Sequence, residues 1–149
     1  MENVEGIELI DFFNNALTCQ RRLNENDMRY VFTKVTIALH KLHRAGIAHR
    51  DIKPENIMIT EDYKIKLIDI GYGIPLSGRE GTYLMNTRRG TPTYMAPEII
   101  QGKPYQGADI DLFSLGVMLI TLRTMKYPFN SASSEDDPQY AKLMANETT

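Results

Sequence analysis

The chain has 149 residues, 42% hydrophobic, 24% charged and 9% aromatic, which excludes global disorder and suits one domain with a packed core. A net charge of −2 leaves no basic field for nucleic acid or an anionic membrane, and the single Cys19 excludes an internal disulfide and fits a reducing compartment. The longest apolar run, Leu115–Leu122, is too short to span a bilayer and the acidic start lacks signal-peptide character, so an intracellular, cytoplasmic protein is expected.

In chain order, residues Gly6–Ala16 read as a short helix. A longer one is expected from about Glu25 to Ala45. Asn24 suits its N-cap, and Met28, Val31, Phe32, Val35, Leu39 and Leu42 form one apolar face. Gly46 suits the stop. Asn56–Thr60 and Lys64–Ile70 are short β-branched runs joined at Glu61-Asp62, the pattern of a hairpin. Gly71–Pro97 reads as a long loop, functional or disordered. From about Asp109 to Met125 a helix apolar on most sides is expected to be central, and Ser131–Pro138 reads as a polar, acidic loop. The chain is thus mainly α with a small β-hairpin.

Three side chains carry the chemistry. Asp51 and Asn56 bracket the tight loop His49-Arg50-Asp51-Ile52-Lys53-Pro54-Glu55-Asn56, and Asp69 ends the second hairpin strand. The hairpin folds the chain back, so Asp69 can return beside that loop. Carboxylate and amide oxygens are hard ligands suited to Mg²⁺, which usually also takes phosphate oxygens. Lys53, two residues after Asp51, would face the same space and neutralise a transferring phosphate.

HRDIKPEN resembles the catalytic loop of eukaryotic protein kinases. Met95-Ala96-Pro97-Glu98 carries the family's APE motif, and Asp69-Ile70-Gly71 is close to its DFG. Gly90-Thr91-Pro92-Thr93-Tyr94 is similar to the substrate-facing loop, and Asp111-Leu112-Phe113-Ser114-Leu115-Gly116 to the start of the central helix. These five motifs stand in the family's order. Lys53 and the GTPTYMAPE string look like the serine/threonine branch. The implied fold is a partial kinase-like large C-terminal lobe over residues 1–149.

The resemblance implies ATP and Mg²⁺ as cofactors and a protein Ser/Thr hydroxyl as acceptor. It makes Asp51 the group that accepts or orients the hydroxyl proton, and Lys53 the one that stabilises the transferring phosphoryl. Thr91 would bridge the two. Asn56 and Asp69 would hold Mg²⁺. Met58 and Leu9 would lie under the adenine, and Glu8 on the ribose side. Glu55, with Glu8, would favour basic residues before the target hydroxyl. Arg50 would bind a phosphate on Thr87, eleven residues before Glu98. His49, Gly71, Glu98 and Asp111 would be structural, Asp111 as a buried carboxylate holding the catalytic loop. Ile70 replaces the family's Phe and is expected to fill the same internal position.

The sequence shows no glycine-rich G-x-G-x-x-G and no V-A-I-K lysine, the parts that the family's small lobe supplies. The last large-lobe helices, and the arginine that pairs with Glu98, are likewise expected elsewhere in a longer product. The chain alone is therefore expected to be aggregation-prone and nearly inactive. A second class, a non-catalytic kinase-like module that binds a protein, remains open at this point.

Overall fold

The computed structural model describes residues 5–19, 24–76 and 87–145. Strand β1 (Ile7–Glu8) leads directly into helix α1 (Leu9–Thr18), so the expected Gly6–Ala16 helix is corrected at its start. The chain enters extended because Ile7 and Glu8 pair antiparallel with Ile59 and Met58. Helix α2 (Glu25–Arg44) has the expected position and cap. Asn24 Oδ1 accepts from the Asn26 and Asp27 amides at 2.8 and 3.0 Å, while Asp27 reaches back to the Asn24 amide at 3.1 Å. Such a capping box contributes about 1 kcal/mol. Burial of Met28, Val31, Val35 and Leu39 contributes more, about 1.5–3 kcal/mol for each large side chain. Packing therefore holds α2 in place, and the cap fixes where it starts.

Strand β2 (Ile47–Ala48) follows, then a 3-10 turn over Pro54–Asn56, and the hairpin β3 (Ile57–Ile59) and β4 (Ile65–Leu67). The expected hairpin is the centre of a larger sheet, ordered β1-β3-β4. A second two-stranded ribbon joins β2 to β5 (Ile74–Pro75), which lies within the expected 71–97 loop. Residues 77–86 of that loop lie outside the described residues. Two-residue strands carry almost no alternation to read, which is why β1, β2 and β5 escape periodicity.

Short α3 (Pro97–Ile100) precedes α4 (Gly107–Thr124), which starts and ends slightly before the expected bounds. Gly107 belongs to the helix because it packs against the β2–β5 ribbon. A Cβ there would stand 2.5 Å from that of Ala48. The helix is central as expected: Ile110, Leu115, Val117, Met118 and Leu122 are buried, with Met118 wholly so. Leu112 and Ile120 are exposed. α1, α2 and α4 close the main core with Leu9, Phe13, Ile52, Ile57 and Phe129.

The acidic segment at 131–138 does more than loop. Pro138 opens helix α5 (Pro138–Met144), and buried Asp137 is its N-cap. Asp137 Oδ1 accepts from the Gln139 and Tyr140 amides at 2.9 and 3.2 Å, and Oδ2 from those of Asn130 and Ser131 at 2.7 and 3.2 Å. The Asn130 amide foremost, and then the other amides, hold its carboxyl below the usual carboxylate range against the opposing effect of burial. A depressed folded pKa stabilises the fold above the ordinary value, and that contribution disappears as pH falls through the lowered one. Asp137→Ala is therefore expected to lower the melting temperature at pH 7 by about 3–6 °C. The gap to wild type should shrink on acidification, in thermal scans from about pH 7 to pH 2. An equal gap across that range would contradict this.

Candidate active site

Arg50 sits at φ 71°, in the left-handed region that costs a non-glycine residue about 1–2 kcal/mol. Asp111, from the first turns of α4, holds it there. Its Oδ1 accepts from the Arg50 amide at 2.7 Å, and its Oδ2 accepts from the His49 amide and from His43 Nε2, both at 2.8 Å. A carboxylate with 0% exposure requires such a donor set to be stable in the interior. His49 is also wholly buried. Its Nε2 donates to the Ile68 carbonyl at 3.0 Å, and its Nδ1 accepts from the Asp51 amide at 3.4 Å. The left-handed turn at Arg50 thus sends Asp51 one way and the guanidinium another.

Asp51 is 4% exposed, and both its oxygens are engaged. Oδ1 accepts from the Thr91 amide and hydroxyl, each at 2.9 Å. Oδ2 accepts from Asn56 Nδ2 at 2.9 Å and faces Lys53 Nζ at 3.0 Å. Lys53 Nζ also donates to Thr91 Oγ1 at 2.8 Å. Burial alone would raise the Asp51 pKa. The bonds from Lys53, Thr91 and Asn56, together with the Lys53 charge, outweigh it and hold the carboxyl below its usual range. Three side chains of one tight loop and the distant Thr91 therefore form one closed polar cluster.

Asn56 Nδ2 also donates to the Asp51 carbonyl at 2.8 Å, so its donors are committed and its amide oxygen is left over. Asp69 comes alongside through the backbone. The Ile68 amide donates to the Asn56 carbonyl at 3.0 Å, while the Ile68 carbonyl is held by His49. Asp69 itself is exposed and left-handed at φ 56°. Gly71 leaves room for its carboxylate, since a Cβ there would stand 3.1 Å from Asp69 Oδ1. Among the described residues no three His, Cys, Asp or Glu side chains cluster to form a protein-only metal cage. The unspent oxygens of Asn56 and Asp69 instead suit a hard cation that shares its remaining positions with phosphate.

On the other side, Arg50 Nη2 donates to Thr87 Oγ1 at 2.8 Å, and its guanidinium lies over the Tyr105 ring at 5.9 Å. Tyr105 Oη donates to the Thr87 carbonyl at 2.7 Å. Glu55 is half-buried, and its Oε2 is buried with no hydrogen-bond partner. Its charge adds to burial and Tyr127 in raising the Tyr94 phenol above its ordinary range. Glu8 and Met58 are directly paired across β1 and β3, and both are half-buried.

Two expectations are corrected. Leu9 is 0% exposed within the core, so it offers no surface to a nucleotide base. It opens α1, and its side chain turns inward between that helix and the sheet. Ile70 is exposed in its 3-10 turn rather than internal. Glu98 is half-buried and has no ion-pair partner among the described residues. Sequence reading missed His43 and Tyr105, which meet Asp111 and Arg50 only in the folded chain. Gly90 was legible as part of a motif, though its steric reason was not. At φ 115°, any Cβ would stand 2.8 Å from the Arg50 carbonyl.

A family model described as the protein kinase domain matches residues 1–148. The chain is 42% identical over 130 residues to maternal embryonic leucine zipper kinase of Danio rerio, covering 87% of this chain and 18% of that protein. It is 43% identical over 115 residues to serine/threonine-protein kinase kin-29 of Caenorhabditis briggsae, covering 77% and 14%. Identity to NUAK family SNF1-like kinase 1 of Homo sapiens is 35% over 130 residues, covering 87% and 19%. The chain belongs to the protein kinase domain family. It spans about a fifth of the length of the curated relatives it matches. No helix among the described residues is long and apolar enough to cross a membrane.

Gly90→Ala should strain the segment that carries Thr91 to Asp51. The expected loss is about 1–3 kcal/mol in urea unfolding. A variant as stable as wild type would show that the backbone there is free to move.

Proposed function

We propose that the chain is the large-lobe part of a serine/threonine protein kinase, with ATP and Mg²⁺ as cofactors and a protein hydroxyl as acceptor. The closed cluster of Asp51, Lys53, Asn56 and Thr91 carries this reading. Asp51 Oδ2 is the group that accepts the acceptor's proton or orients its hydroxyl. Its lowered pKa keeps it ionised across neutral pH, so it orients strongly and takes the proton late. Lys53 offsets charge at the phosphoryl, and Thr91 fixes both partners without adding charge. Asn56 and Asp69 would hold Mg²⁺, which supplies electrostatic neutralisation and orientation of the phosphates when bound. Glu8 and Met58, adjacent across the sheet, form the nucleotide-side edge. The buried, unpaired oxygen of Glu55 supports a preference for basic residues before the acceptor.

Arg50 already holds the Thr87 hydroxyl, which supports Thr87 as a regulatory phosphosite. A phosphate there would convert a neutral hydrogen bond into a charge-assisted one and tighten the segment that ends at Thr91. The family's glycine-rich cover and phosphate-binding lysine are not among these 149 residues, and such groups would complete the phosphate site. The exposed Leu112 and Ile120 on α4 favour its association with other surfaces.

In the full-length protein, Asp51→Asn should reduce phosphate transfer to a protein substrate by at least about 100-fold, with KM for ATP little changed. Turnover equal to wild type would overturn the assignment. Thr87→Ala should remove the activated fraction, and mass spectrometry of active material should show Thr87 phosphorylated. Full activity in that variant, with Thr87 never modified, would exclude the switch.

A further inference from the structure

We propose that the cleft between α1, α2 and the tip of the β3–β4 hairpin is a docking groove for an extended segment of a partner protein, one that carries apolar side chains flanked by arginine or lysine. The cleft has a volume of about 410 Å³, within the range of sites that enclose a ligand. Phe12 and Cys19 wall it on the α1 side, Tyr30 and Val31 on the α2 side, and Ile59 and Tyr63 on the hairpin side. It does not end there. A second depression of about 330 Å³ shares Phe12, Ile59 and Tyr63 and runs on to Ile7 and Glu61. Two hollows joined by shared walls make a groove. That shape suits an extended chain, with alternate side chains seated in each hollow, better than one compact small molecule.

The walls define the occupant's chemistry. Ile7, Tyr30 and Tyr63 are 44%, 45% and 67% exposed and all line the groove, so the fold leaves its apolar rim in water. Tyr63 also sits at φ 58°, a left-handed conformation that disfavours an aromatic residue. Its carbonyl accepts from Tyr30 Oη at 3.0 Å, a bond that any residue at this position could make. The ring therefore brings little to the fold, and its place at the junction of both hollows gives it a use in binding. The charge is one-sided. Asp27 lines the first hollow and Glu61 the second, and no described lysine or arginine lines either. Glu25 is paired with Arg29 and Asp62 with Lys64, whereas Asp27 and Glu61 have no ion-pair partner among the described residues. An apolar floor between two uncompensated carboxylates is complementary to leucine-like anchors between basic residues. None of these walls belongs to the Asp51 cluster, so the inference concerns recruitment and does not depend on phosphate transfer.

The test uses the full-length protein carrying Asp51→Asn, so that phosphate transfer plays no part. Fluorescent peptides with a Leu-x-Leu core and an arginine at each end, joined by spacers of differing length, are titrated by anisotropy. Control peptides carry glutamine for arginine or serine for leucine. Alkylation of the exposed Cys19 thiol by iodoacetamide is followed by mass spectrometry, which reports occupancy of the groove itself. An arginine–leucine peptide should bind saturably and slow that alkylation at least about 5-fold. Both controls should bind at least about 10-fold more weakly. Tyr63→Gly should cost at least about 10-fold in Kd with the melting temperature equal or higher, because glycine accepts the left-handed turn. Asp27→Asn combined with Glu61→Gln should cost a similar factor. It should keep the α2 cap, since an asparagine there still accepts from the Asn24 amide. Ile37→Ala, exposed but outside the groove, should match the parent. No saturable binding, binding that leaves Cys19 alkylation unchanged, or glutamine peptides as tight as arginine ones would each overturn the proposal. So would self-association that Tyr63→Gly abolishes, which would make the occupant a second copy of the chain. If the double variant does not fold, Tyr63→Gly and the peptide controls decide.

Discussion

One buried carboxylate makes the rest of the site possible. Asp111 is fully removed from water and survives there because three N–H groups converge on it. Two of those donors are consecutive backbone amides that can both reach it only if Arg50 turns left-handed. The hydrogen bonds between them offset both the strain at Arg50 and the burial cost of Asp111. Each is unfavourable alone, and together they give one rigid turn. Rigidity matters because a phosphoryl-transfer site works mainly by placing charges accurately before the reaction starts.

From that turn the architecture divides its tasks. The hairpin brings Ile68, and with it the backbone of Asp69, beside Asn56. The segment returning from the long loop delivers Thr91 to Asp51. It can do so because Gly90 has no Cβ to strike the Arg50 carbonyl. Helix α4 supplies Asp111 near one end, while its later turns build the core that keeps α2 and the loop in register. The same helix therefore stabilises the fold and sets the geometry of the site.

Where the chain repeats a pattern over many residues, its structure was legible in the sequence. Helix α2 could be read from its apolar spacing and from Asn24, and α4 from apolar residues on most of its sides. The short elements could not be read this way. Strands β1, β2 and β5 exist because of their partners, and two residues have no period. Asp137 was hidden for a related reason. In an acidic string it looks like a solvated charge, and only the fold reveals that it gathers four amides. At the site, Asp51, Lys53, Asn56 and Thr91 stood out because they lie in dense motifs. His43 and Tyr105 did not, since a histidine in a last helical turn and a tyrosine beside a proline have ordinary local explanations. Leu9 was misplaced because its motif neighbour Glu8 faces outward, and the chain changes from strand to helix between the two.

The central claim is that the oxygens of Asn56 and Asp69 meet at one metal–phosphate position next to Asp51. The most direct measurement is paramagnetic broadening by Mn²⁺, a Mg²⁺ surrogate, in the full-length protein with a non-hydrolysable ATP analogue present. The account predicts that the amides around Asn56 and Asp69 broaden first and together, only with the analogue present, and that Asp69→Asn abolishes the effect. Broadening centred elsewhere, such as at Glu61 and Asp62, or unchanged by Asp69→Asn, would contradict it.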